Sequence, residues 1–233
     1  FVGAFDLAKI EPLVRTYLGN LPSTGRKETF RDVGVVSPRG VVVERVYRGL
    51  EEKSQVRILW SGDFEWSRAN RYDLSSMSQA LSIRLREALR EELGGTYGVS
   101  AGASTTLYPK PEYDFMVAFG CAPDRVDELV GRVFAEIKKL KDEGVPDDLL
   151  AKIKETQRRE RETDLKENGF WLQTLRFYDF NHEDPSQILD LDKWIAALDS
   201  DAIRAAARKY LDEQNYVQVA LLPERMAPAS ASR

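Results

Sequence analysis

Leu89-Arg90-Glu91-Glu92-Leu93-Gly94-Gly95-Thr96-Tyr97-Gly98-Val99 is the stretch on which the fold turns. Upstream of it, Leu74, Met77, Leu81, Leu85, Ala88 and Leu89 recur at intervals of three and four, which predicts one buried face of a helix from about Arg71 to Glu92. Downstream, Tyr97, Val99, Ala101 and Ala103 alternate with smaller residues, the period-two pattern of a strand over 96–106. Between them Gly94-Gly95 supplies the permissive backbone that ends a helix and turns the chain back beside it.

Working outward, Val41 to Tyr47 and Ser54 to Trp60 read as two strands before this helix. Tyr113 to Cys121 reads as the partner of the strand after it, with Pro109 and Pro111 in the loop between. Pro123 to Gly144 bounds an amphipathic helix. A second helix begins near Pro146 and runs through Lys152 to Lys166 into Asn168-Gly169-Phe170-Trp171-Leu172, with a break or kink expected at Gly169. Helices near 185–198 and 201–211 and a last strand, Tyr216 to Leu222, complete the order ββαββααααβ. That order predicts an α+β fold, a mostly antiparallel sheet with helices packed on one face.

At the N-terminal end, Phe1 to Phe5 reads as the end of a strand, and Asp6 as the cap of a helix that Gly19 stops. Residues 1–22 are therefore expected to close a preceding domain, 23–40 to form a linker, 41–223 the main domain and 224–233 a disordered tail.

Composition removes several classes of function. The 233 residues carry a formal charge of -4, which disfavours a nucleic-acid footprint, and no apolar run reaches the length of a membrane-spanning helix. One histidine and one cysteine cannot supply the imidazoles and thiolates of a zinc site, so no metal or other cofactor is expected on this stretch. Cys121 closes an apolar strand, where a buried small hydrophobe is expected, and His182 sits in a polar loop with nothing aiming a nucleophile at it. The glycines at 94–98 follow a helix, whereas a phosphate cradle precedes one. Gln157 to Glu162 mixes charges at helical spacing and reads as a solvated face.

What remains is Arg90, in the last turn of a helix, and Tyr97, at the start of the next strand. A phenol keeps its proton at neutral pH and can donate to an oxygen that gains charge, while a guanidinium stays charged and can hold a carbonyl or carboxylate. Such a pair stabilises an oxyanion but has no nucleophile, base or metal, so it can only complete a site supplied from elsewhere. The plainer alternative is that Arg90 answers the helix dipole and Tyr97 packs in its strand.

The Leu89 to Val99 stretch resembles the segment of the pitrilysin/insulinase zinc peptidases, in their C-terminal domains, where an arginine and a tyrosine seven apart enter the catalytic chamber. Tyr17-Leu18-Gly19-Asn20-Leu21-Pro22 and Glu167-Asn168-Gly169-Phe170-Trp171-Leu172 resemble two further stretches of that family, most like its bacterial multidomain members. The resemblance implies a domain of the pitrilysin/mitochondrial-processing-peptidase type and a zinc carried by a His-x-x-Glu-His motif on an N-terminal domain that is absent here. It implies that Arg90 orients a peptide substrate and that Tyr97 binds the scissile carbonyl. It also implies that the fragment alone is inactive and that its partner is the zinc-binding domain of the same chain or of another subunit. A bacterial periplasmic or envelope setting follows by analogy. A structural subunit without protease activity, or a peptide-binding module, remains the alternative on the same fold.

Overall fold

The computed structural model describes all residues except Asp32, 93–95 and 229–233; the side chains of residues 90–92, 96 and 97 also fall outside the described set. Five strands, β1 (Val41–Tyr47), β2 (Ser54–Asp63), β3 (Thr96–Thr106), β4 (Glu112–Cys121) and β5 (Tyr216–Leu222), form one sheet in the order β1-β5-β2-β4-β3. The β2–β4, β2–β5 and β3–β4 pairs are antiparallel and β1–β5 is parallel. The expected α+β architecture is what the chain adopts.

Alternation sets which face is covered. Val56, Ile58 and Trp60 of β2 and Phe115, Val117 and Phe119 of β4 are buried beneath the helices, whereas Gln55, Arg57 and Met116 point to the other, open face. Trp60 anchors this core, its ring 5.9 Å from each of Phe115, Phe134 and Tyr216. Removing apolar area of this size from water is the main term holding sheet to helices.

The long helix α2 (Arg68–Arg86) starts where Ser67 Oγ accepts from Asn70 N at 3.1 Å, and buries Leu74, Met77, Leu81 and Leu85 against the sheet. It then passes into a π-helical turn, Glu87–Glu92, in which Ala88 and Leu89 stay buried. After β4 come α3 (Val126–Glu143), α4 (Asp147–Asp164), α5 (Asn168–Phe180), α6 (Leu191–Ala197) and α7 (Ser200–Tyr210). Gly144, at φ +71°, turns the chain between α3 and α4, and Ser200 Oγ locks that turn by accepting from Val145 N and donating to Val145 O, each at 2.8 Å.

Four expectations need revision. The single helix expected from Pro146 onward is two, separated at Leu165–Glu167 rather than kinked at Gly169. The indole Nε1 of Trp171 donates to Leu165 O at 2.9 Å and so satisfies a carbonyl that the break releases. The charged stretch Gln157–Glu162 is not wholly solvated. Gln157 bonds Tyr72, Ser76 and Gln79, and Arg161 is buried with its guanidinium donating to Ile188 O and lying 5.0 Å from the Phe170 ring centre. Phe1 to Phe5 takes an irregular path and pairs with no strand among the described residues; the helix α1 (Leu7–Tyr17) does form, capped by Asp6 at 2.9 Å. Finally, the tail is ordered at its start. Glu224–Met226 makes a 3-10 turn, Glu224 N donates to Gly49 O at 3.0 Å and Arg225 pairs with Glu52.

Candidate substrate-contacting site

Arg90 and Tyr97 are carried by neighbouring elements whose backbones are both irregular. Arg90 belongs to the π-helical turn at the end of α2, and Tyr97 to the first residues of β3. Opposite β3, Thr96 pairs with Cys121 and Gly98 with Gly120, so Tyr97 is the extra residue of a bulge. A π turn admits one more residue per turn than an α-helix, and a bulge breaks the strand's alternation; both devices recur where a side chain is re-aimed at a functional site. The Arg90 and Tyr97 side chains, and the Gly94-Gly95 reversal between the two elements, lie outside the described residues.

The base beneath this junction is densely paired. Glu136 of α3, almost wholly buried, receives Arg84 Nε at 3.1 Å, Arg132 at 3.3 Å and Lys139 Nζ at 3.1 Å. Arg84 Nη1 also donates to Gly144 O at 3.1 Å, so the last α-helical turn before the junction is tied both to α3 and to the turn that follows it. From the other side Lys152 of α4 reaches Glu87 at 3.9 Å.

Beyond that Lys152–Glu87 contact, α2 and α4 flank an open cleft of about 730 Å³, with Ser75, Ser78, Ser82 and Arg86 on one wall, Gln157 and Glu160 on the other, and Ala101 and Leu191 adding apolar surface. The serine and arginine positions were not singled out from the sequence. Their signal was a polar stripe at helical intervals on the helix whose apolar stripe defined the core.

Neither alternative nucleophile is supported. Cys121 is fully buried and its thiol is pushed up to about 11 by burial, so it stays protonated. His182 is exposed in the turn after α5, at φ +56°, with its backbone N donating to Asp179 O at 3.1 Å. Among the described residues no three of His, Cys, Asp and Glu gather closely enough to hold a metal, and the donor types present do not suit zinc. No helix among them is long and apolar enough to cross a membrane.

Residues 1–157 match the family described as the peptidase M16 inactive domain, and the chain belongs to that family. A curated relative, described as the probable zinc protease PqqL of Haemophilus influenzae, is 24% identical over 152 residues, which are 65% of this chain and 16% of that protein. The periplasmic protease PqqL of Escherichia coli has a similar structure, with a TM-score of 0.73 at 21% identity over 95% of this chain and 24% of that one. A protease from Helicobacter pylori superposes with a TM-score of 0.80 at 16% identity, over 95% of this chain and 54% of that one. The chain thus spans about a sixth of the curated relative and about a quarter of the Escherichia coli protease.

Proposed function

We propose that this chain is the non-metal half of a zinc endopeptidase, and that Arg90 and Tyr97 complete an active site whose zinc is bound by another domain. Family membership supports the first part. For the second, the supporting observation is that both residues fall on backbone irregularities, a π turn and a bulge, at the meeting of one helix and one strand. On this reading Arg90 holds the substrate backbone, and the Tyr97 hydroxyl donates to the scissile carbonyl oxygen as negative charge builds there. Zinc, bound by that other domain, would supply the water-activating chemistry, for which no metal-holding cluster gathers among the described residues.

The N-terminal residues fit a role in a longer protein. No residue of α1 is buried, and Leu7, Leu13 and Tyr17 are 73%, 55% and 70% exposed. Such a helix is stable when a neighbour covers it. We therefore read 1–22 as the close of a preceding domain and 23–40 as a linker. The periplasm is the compartment that the likeness to the Escherichia coli protease supports.

Zinc content and cleavage of an unfolded polypeptide, measured for this chain alone and for the full-length protein, test the assignment. The chain alone is expected to bind no stoichiometric zinc and cut nothing, and the full-length protein to do both. Cleavage by the isolated chain, or a zinc-free and inactive full-length protein, would refute it.

A further inference from the structure

The cleft between α2 and α4 has opposite charge at its two ends. Contacts at 3.9 Å between Lys152 and Glu87 and at 2.6 Å between Gln157 and Tyr72 show that α4 runs against the direction of α2. Arg86 and Lys152 therefore share, with Glu87, the end next to the Arg90 turn, and Glu160 and Asp164 lie, with the buried Arg161 between them in sequence, toward the end beside Ser75. Lys152 is already paired with Glu87. Arg86 and Glu160 are exposed, and neither has an ion-pair or hydrogen-bond partner among the described residues.

Between these charges the wall of α2 offers the hydroxyls of Ser75 and Ser82, each able to donate and to accept, with Ser78 buried between them. That is the inventory needed by a peptide backbone, which presents both groups at every residue. An anion alone is disfavoured by Glu160 and Asp164, and a polyanion more so. From Ser75 to Arg86 the helix rises roughly 16 Å, the span of about five residues of extended chain.

We propose that this cleft holds an extended segment of the peptide substrate. An acidic side chain of that segment meets Arg86, and a basic one about five residues away meets Glu160. Because Arg86 lies one helical turn before Arg90, the acidic residue sits about two positions from the bond to be cut. Charge order in the substrate, rather than net charge, is then what the cleft selects. A peptide as the occupant rests on the peptidase role proposed above.

Fluorogenic peptides with one common scissile sequence, carrying an Asp/Lys pair five residues apart in either order and on either side of the bond, test this with full-length protein. One charge order is expected to lower KM about fivefold relative to an all-serine peptide, as two exposed pairs together would. In the doubly exchanged variant, Arg86→Glu with Glu160→Lys, the preferred order is expected to invert. Anisotropy of the same labelled peptides reports binding whether or not they are cut. No charge-order preference in the wild type, or a preference left unchanged by the double exchange, overturns the proposal. Loss of cleavage with charge-ordered binding intact would instead count against the peptidase role alone.

Discussion

At the residue scale, the site rests on side chains of two kinds. Some were marked by chemistry in the sequence: an arginine and a tyrosine seven apart stand out because the Gly-Gly step between them can turn the strand back beside the helix end. Others, such as Glu136, gave no such signal, since a glutamate in a helix is ordinarily solvated and only the packing of α3 against α2 buries it among Arg84, Arg132 and Lys139. Glu136→Ala leaves these cations without their carboxylate beneath the candidate site. A loss of about 3–5 kcal/mol in urea unfolding is expected. A loss below about 1 kcal/mol would mean the cluster is solvated.

Elements were more legible than their irregularities. β1, β3 and β5 fall where β-branched residues and alternation place them, and in β3 and β5 that alternation appears as period-two burial. The π turn after α2 and the bulge at Tyr97 were not, since both arise from matching a helix end and a strand start to the same core, a tertiary requirement with no local pattern. The break between α4 and α5 was foreseen in kind but displaced, because the Trp171 bond to Leu165 O, rather than the glycine, accompanies it. Gly144 carries an element-scale prediction. At φ +71°, with a Cβ directed into Ser200 Oγ, Gly144→Ala is strained in backbone and side chain alike and should cost more than about 1 kcal/mol, read as a lowered Tm. An unchanged Tm would show that the α3–α4 turn is not held by Ser200.

For the whole molecule, buried hydroxyl and thiol groups make stability depend on pH. Burial pushes Tyr72, Tyr113 and Tyr210 up to about 12 and Cys121 up to about 11. The unfolded chain sheds these protons near about 10 and about 8.5 respectively. The folded state holds them longer, so the contribution is fully present below those values and is lost as pH rises toward 12. The Tm is expected to be flat from pH 7 to 8 and to fall progressively above about 9; a Tm held constant to pH 11 would contradict the burial of these groups.

Also at this scale, the fold was legible because pairs of strands separated by helices admit few arrangements, whereas what completes the proposed site was not, since among the described residues no group of ligands gathers to hold a metal. Tyr97→Phe in the full-length protein, with zinc content measured alongside turnover of an unfolded substrate, tests that division of labour most directly. The change removes one hydroxyl and touches no metal ligand, so kcat is expected to fall by about 10- to 1000-fold with zinc stoichiometry unaltered. Unaltered kcat would place Tyr97 among packing residues and contradict the account.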